Sequence, residues 1–382
     1  MMITFYLEKI LIVAAIGITV SAIATPLSIK VARRFDIIDR PRDDRRIHDR
    51  PIPRFGGMGI FLGSMAAMII PAGMSEKIMT AMIGGVLMYL LGVLDDLKDL
   101  RPGLKFTGQI AIATLMFSKG LKITFIGNYI ASTSASIETK VFLGTGAAYI
   151  VTVLWIVGVT NAVNLMDGMD GLAAGSVAIM SLSLAYVAYI HGARLGTMPV
   201  CVAFAALAAS CIGFLPYNIS PAKTFMGDGG ALFLGYMIAI LSVISPLKRV
   251  TFIGTIIPIA ALAVPIFDTL FAMIRRISRG DSVMKPDREH LHHHLLGAGF
   301  GQRRSVLIMY GIVGIMGEVA VLFSRELYKD AFFMSTIACL YLLVILVPRQ
   351  PFEKRQARME YMRRKREERK QKQNANNQEN KE

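Results

Sequence analysis

The chain predicts an all-α polytopic membrane protein of about eleven transmembrane helices, N-terminus outside and C-terminus cytoplasmic. Three observations carry this. The 382 residues are 54% hydrophobic with mean hydropathy +0.51, so water is not the main solvent. Apolar stretches of about 17–24 residues, the length that crosses a bilayer, recur along the chain. The basic residues are distributed unevenly around those stretches.

The predicted spans lie at about 8–30, 55–73, 78–94, 106–120, 141–159, 172–190, 198–215, 230–245, 252–274, 305–323 and 331–347. The first is too long for a cleavable signal, Glu8 and Lys9 cancel in its n-region, and no small-residue cleavage site follows. With the N-terminus outside, the inner segments (30–54, 95–105, 160–170, 216–229, 275–304 and 349–382) hold 32 of the 42 Lys and Arg residues. The positive-inside rule favours that orientation, and the flipped topology reverses the ratio. Of the fifteen aspartates, only Asp330 falls outside. The segment 121–140 alternates enough to suggest a short outer hairpin.

Residues 1–347 form the transmembrane domain. Residues 348–382 form a basic cytoplasmic tail, partly disordered, whose Arg363-Arg364-Lys365-Arg366 run is attracted to anionic lipid. The net charge of +15 thus follows membrane topology and implies no nucleic-acid partner. Cys201, Cys211 and Cys339 lie in apolar helices and read as packing residues. The chain shows no convincing internal repeat.

Four polar clusters sit at the inner ends of these spans, where a membrane protein seldom places charge without a use for it. The first is Asp95-Asp96-Leu97-Lys98-Asp99. If the helix continues, Asp95 and Asp96 each share a face with Asp99. Their repulsion calls for a cation or one raised pKa, and hard oxygen ligands suit Mg²⁺, which also takes substrate phosphates. A solvated helix end is the structural reading of the same residues.

The second cluster, Asn161 to Gly171 (NAVNLMDGMDG), spaces Asn161, Asn164, Asp167 and Asp170 every three residues, a polar ridge on a helical turn. A helix cap explains one such residue rather than four. The third, Phe225-Met226-Gly227-Asp228-Gly229, opens the eighth span. There an aspartate can hold a metal while free backbone N–H groups face a phosphate, although a capping role also fits. Asn218 precedes it in the same loop.

The fourth packs four of the six histidines into 290–294, behind Arg288. Zinc is disfavoured, because no cysteine is near and the other clusters offer oxygen ligands. Arg288, His290, His292 and His293 facing a diphosphate fit better. The first inner loop, Asp39 to Gly57, adds Arg45, Arg46, His48 and Arg50, which positive-inside bias largely explains. Asp268, within the ninth span, is a functional candidate or a paired structural residue.

In this order the motifs resemble those of the polyprenyl-phosphate N-acetylhexosamine-1-phosphate transferases (glycosyltransferase family 4), over roughly residues 36–300. Each piece alone is modest, but the ordered set is specific. The resemblance implies a multi-span helical fold with a cytoplasm-facing active site in the bacterial plasma membrane. The implied reaction moves a sugar 1-phosphate from a UDP-sugar to a polyprenyl phosphate, releasing UMP, with Mg²⁺ as cofactor and Mn²⁺ as a substitute.

By resemblance, Asp228 is the metal ligand, and Asp95 and Asp96 hold or deprotonate the polyprenyl phosphate. Asn164, Asp167 and Asp170 line the nucleotide-sugar site, with Phe225 against the uracil and Asn218 nearby. Lys105 lies near the phosphates, and His292-His293 match the histidine motif. The DREHLHHHLL stretch, the Arg-rich first loop and the basic tail resemble the UDP-N-acetylglucosamine branch. Leu295-Leu296 replaces the Phe-Glu pair usual in the peptidoglycan branch, whereas His294 is similar to that branch. A phospho-N-acetylmuramoyl-pentapeptide transferase is therefore the alternative. A homodimer is left open.

Two other classes fit less well. An ion-coupled transporter would place its carboxylates near the midplane on broken helices, whereas these gather at inner ends. A membrane scaffold leaves the motif set without a use.

Overall fold

The computed structural model describes residues 2–39, 51–69, 75–130, 137–245, 295 and 300–346. In chain order, α1 (Met2–Arg34) leads to the paired dipeptides β1 (Ile38–Asp39) and β2 (Ile52–Pro53), followed by α2 (Gly57–Ile69), α3 (Glu76–Lys98) and α4 (Pro102–Ser118). An antiparallel hairpin, β3 (Phe125–Ile130) with β4 (Ile137–Phe142), follows, in the segment where the sequence suggests a short hairpin. Then come α5 (Thr145–Met166), α6 (Leu172–Ile190), α7 (Gly192–Leu195), α8 (Met198–Asn218), α9 (Gly227–Ile244), α10 (Gln302–Ser324) and α11 (Tyr328–Leu346).

Each predicted span within the described residues has a helix on it. The ninth, with Asp268, lies outside the described residues, as does the tail. Among the described residues seven helices are long and apolar enough to cross a membrane: α3, α5, α6, α8, α9, α10 and the Glu8–Arg34 part of α1. α2, at 13 residues, covers only about 20 Å at 1.5 Å per residue, shorter than the expected 55–73 span.

Helix ends follow local chemistry. Ser75 accepts the Ile78 amide at the start of α3, and Pro at the first turn of α4 needs no hydrogen-bond partner. α3 stops at Asp99, whose backbone is left-handed at φ 45°, so the helix does not carry the acidic cluster through. Asp99 is exposed and does not share a ridge with Asp95 and Asp96.

Helix α9 is the axis of the bundle. From Gly229 to Val243 it is buried on every side, as expected for a helix that is apolar all round. It packs against α3, α5 and α2, while α8 packs on α1 and α6, and α10 on α6 and α11. The α3–α9 approach depends on Gly92, where a Cβ would lie 2.4 Å from the Asp228 carbonyl oxygen. Without a hydrophobic drive between helices in lipid, such close backbone approach is a main source of association. It also brings the C-terminal turn of α3 onto the first turn of α9.

Candidate active site

One end of the bundle gathers the C-terminal ends of α3, α5 and α8 and the N-terminal ends of α4, α6, α9 and α10. Asp228, in the first turn of α9, is the hub. Its Oδ1 accepts from Lys105 Nζ at 2.8 Å and from Asn164 Nδ2 at 2.6 Å. Lys105 also reaches Asp95 Oδ2 at 2.7 Å, so one ammonium joins α3, α4 and α9. Asp95 Oδ1 accepts the Leu100 amide at 2.9 Å, which holds the turn that sends α4 back along α3.

Asp96 has a separate task. Its two oxygens accept the Asp228 and Gly229 amides, each at 3.0 Å. Met226, the residue preceding α9, contributes no side-chain cap, and a carboxylate from α3 replaces it, favoured by the positive end of the helix dipole. The expectation of free N–H groups here facing a phosphate is therefore corrected: the chain's own Asp96 occupies these two. Gly227 makes the arrangement feasible. Its backbone is left-handed at φ 72°, a Cβ there would lie 2.6 Å from Asp96 Oδ2, and only glycine meets both conditions without strain.

The expected ridge of Asn161, Asn164, Asp167 and Asp170 divides, because α5 ends at Met166 with Asp167 as its cap. Asn161 lies deeper and exchanges amide contacts with the fully buried Gln109 of α4. Asn164 reaches Asp228. Asp170 turns away and accepts the Ala222 amide at 3.1 Å. Asn218 is 1% exposed, and its side chain accepts the Gly171 amide and donates to the Thr224 carbonyl, both at 3.0 Å. It ties two loops together instead of opening onto the cleft. Phe225 is half-buried between those loops and β2, its amide donating to the Pro53 carbonyl at 2.8 Å.

Burial, and then the Asp228 and Asp96 carboxylates, push the Asp167 carboxyl well above the usual range. Asp228, Asp167 and the Asn164 amide are hard oxygen donors of the type Mg²⁺ takes, so the residues fit such an ion. Among the described residues no group of three or more acidic, His or Cys side chains is placed to hold a metal ion. Arg288, His290, His292 and His293 lie outside the described residues.

Four participants were not singled out by sequence. Arg54 Nη2 lies 3.5 Å from Asp96 and 3.6 Å from Asp228; in the sequence it was one basic residue among several in an inner loop. Gln109 reads as a lone polar residue in an apolar helix. Tyr310 of α10 donates to the Gly171 carbonyl, and Arg303 Nε donates to the Ser220 carbonyl at 2.9 Å. Together they fasten α10 onto the loops that carry Asp170 and Asn218.

A family model described as Glycosyl transferase family 4 matches residues 78–246, the stretch that holds Asp95 through Asp228. A probable undecaprenyl-phosphate N-acetylglucosaminyl 1-phosphate transferase of Bacillus subtilis (strain 168) is 37% identical over 340 residues, covering 89% of this chain and 90% of that one. A decaprenyl-phosphate N-acetylglucosaminephosphotransferase of Mycolicibacterium smegmatis is 30% identical over 364 residues, 88% of each chain. A phospho-N-acetylmuramoyl-pentapeptide-transferase of Desulfitobacterium hafniense is 30% identical over 345 residues, 83% of this chain and 99% of that one. With this likeness along nearly its whole length, and with its acidic motifs converging on one end of a helical bundle, the chain belongs to glycosyl transferase family 4, among the polyprenyl-phosphate N-acetylhexosamine-1-phosphate transferases.

Proposed function

We propose that this enzyme transfers N-acetylglucosamine 1-phosphate from UDP-GlcNAc to undecaprenyl phosphate and releases UMP, as the first membrane step of a teichoic-acid or O-antigen type polysaccharide. The observation that carries the reading is the Asp95–Lys105–Asp228–Asn164 chain of contacts at one end of an apolar bundle. One substrate is soluble and the other has a lipid tail, so their phosphates meet only at the boundary between membrane and water. The distribution of Lys and Arg favours the cytoplasmic side for that end of the bundle, and with the family resemblance it supports reading the chain as an eleven-span protein of the bacterial plasma membrane with the N-terminus outside.

In the direct mechanism, an oxygen of the acceptor phosphate attacks the sugar-bearing phosphorus of the donor. The bond from that phosphorus to the bridging oxygen breaks, and its electron pair leaves with UMP. The acceptor phosphate has a second pKa of about 6, so near neutral pH Asp95 has little proton to remove. Lys105 meets the phosphates with positive charge, and Asp95 and Asp228 fix its direction. Asn164 holds Asp228 in place, and Asp96 holds the turn that presents it. Asp167, with Phe225, is assigned to the donor side, and the family resemblance assigns Arg288, His290, His292 and His293, which lie outside the described residues, to binding the diphosphate. Bound Mg²⁺, held by Asp228, would offset the repulsion between the two phosphates, the main burden in phosphoryl transfer.

The pentapeptide transferase reading is kept beside this one, because the Desulfitobacterium relative is covered over 99% of its length. Purified protein in detergent with undecaprenyl phosphate and Mg²⁺ separates them when UDP-GlcNAc and UDP-MurNAc-pentapeptide are offered in parallel. UMP release with UDP-GlcNAc alone, lost in Asp228→Asn, is the expected result. Release with the pentapeptide donor alone would overturn the sugar assignment, and release with neither would overturn both.

A further inference from the structure

Among the described residues two cations reach the carboxylates of the site, and they are held differently. Lys105 sits 2.7 Å from Asp95 and 2.8 Å from Asp228, with its side chain 16% exposed. Arg54 stands off at 3.5 and 3.6 Å from Asp96 and Asp228, and is 30% exposed. Of the oxygens it faces, Asp96 Oδ1 also accepts the Asp228 amide, while Asp228, met at Oδ2, accepts Lys105 and Asn164 through its other oxygen, Oδ1. Arg54 is thus the cation whose departure these carboxylates tolerate best.

Its backbone, in contrast, is pinned. The Arg54 amide donates to the Ile37 carbonyl at 3.1 Å, and the Gly56 and Gly57 amides donate to the Phe225 and Met226 carbonyls at 2.9 Å. The Pro53 carbonyl accepts from the Phe225 amide at 2.8 Å and from Thr224 Oγ1 at 2.9 Å. Gly227 leaves room for the Arg54 carbonyl, which a Cβ would meet at 2.4 Å. This clip joins residues 51–57 to the loop that presents Asp228. It supplies a fixed base for a side chain that is 30% exposed. A guanidinium offers a planar fork that matches two phosphate oxygens, which a carboxylate contact at 3.5 Å does not use.

We infer that Arg54 is a phosphate-binding residue of this site, resting on Asp96 and Asp228 in the substrate-free protein and passing to a substrate phosphate when one is bound. The inference rests on the phosphotransfer reading above. Both substrates carry the required chemistry, the donor as a diphosphate and the lipid as a monoester.

The test uses the full chain in detergent as wild type, Arg54→Gln and Arg54→Lys, with thermal unfolding as the check on folding. UMP release is measured while UDP-GlcNAc and undecaprenyl phosphate are varied separately. Loss of a charge-assisted contact should raise KM for one of them by about tenfold or more in Arg54→Gln, with partial recovery in Arg54→Lys, and the substrate affected identifies the source of the phosphate. Unchanged KM for both, whatever happens to kcat, overturns the inference and leaves Arg54 a structural pin. If Arg54→Gln does not fold, Arg54→Lys decides, since an ammonium lacks the fork: a raised KM supports the role and a wild-type KM overturns it. If wild-type protein turns over neither substrate, the reaction assignment has failed separately. Equilibrium binding of pyrophosphate then decides, weaker binding by the variant supporting the role and equal binding overturning it.

Discussion

Asp96 caps the helix that carries Asp228, accepting the Asp228 and Gly229 amides at 3.0 Å each. Two motifs far apart in the chain are therefore one device: the acidic pair at the end of α3 sets the first turn of α9, and that turn aims the hub carboxylate. Asp96→Ala should lower stability by about 1–2 kcal/mol, the usual cost of losing a helix cap, and should remove UMP release. Thermal unfolding and turnover of the same preparation check both. Wild-type turnover in a folded Asp96→Ala protein would sink the capping argument.

Lys105 joins Asp95 to Asp228 with the shorter cation contacts of the site. Lys105→Ala leaves two carboxylates facing each other and removes the charge that meets the phosphates. Turnover should fall by about 10²-fold or more. A drop of less than about threefold would mean that Lys105 only neutralises its neighbours.

Gly92 provides a test of the α3–α9 crossing. Gly92→Ala forces a methyl to within 2.4 Å of the Asp228 carbonyl oxygen, an overpacking that costs about 1–3 kcal/mol and displaces Asp96 from the α9 amides. Gly158 of α5, where a Cβ meets nothing within 4 Å, is the control, and Gly158→Ala should leave melting and turnover at wild-type levels. Equal behaviour of the two variants would contradict the packing described.

Asn218 spends its amide on two backbone groups inside the protein. Asn218→Ala should cost about 1–3 kcal/mol for the buried groups left unpaired, seen as a lower melting temperature. The KM for donor in the protein that remains folded should stay near wild type. A raised donor KM with unchanged melting would instead make Asn218 a nucleotide contact.

Asp167 supplies a pH dependence. Burial and the Asp228 and Asp96 carboxylates hold its carboxyl well above the usual range, so the folded protein binds that proton more tightly than the unfolded chain. Stability should therefore fall as pH rises from the ordinary carboxylate range through the raised value. Mg²⁺ should lessen the fall by stabilising the ionised form, and Asp167→Asn should remove this component. Melting curves across pH, with Mg²⁺ or with chelator, read it out, and an identical pH slope in Asp167→Asn would refute the assignment.

Much of this was legible in one dimension. The spans at 172–190 and 198–215 coincide with α6 and α8 to within a few residues, because twenty apolar residues between turn formers have few alternatives in a bilayer. The inner-end motifs were legible too: Asp95, Asp96, Asn164 and Asp228 do converge. What was misread depended on helix ends. Asp99 shares a face with Asp95 and Asp96 only if α3 continues, and its left-handed backbone ends the helix there; Asp170 belongs to the expected polar ridge only if α5 runs on past Met166, where it stops.

By itself, the sequence determined the helical class, the positions of the apolar segments and which polar residues stand at their ends, since these follow from local hydropathy and turn chemistry. Only the tertiary structure decided which of those residues face one another. Asp96 meets the α9 amides because glycines at 92 and 227 let two backbones approach. Arg54 reaches the site because residues 53–57 are hydrogen-bonded along 224–226. Such contacts depend on how helices and loops cross in space, and no period or spacing along one segment encodes the crossing.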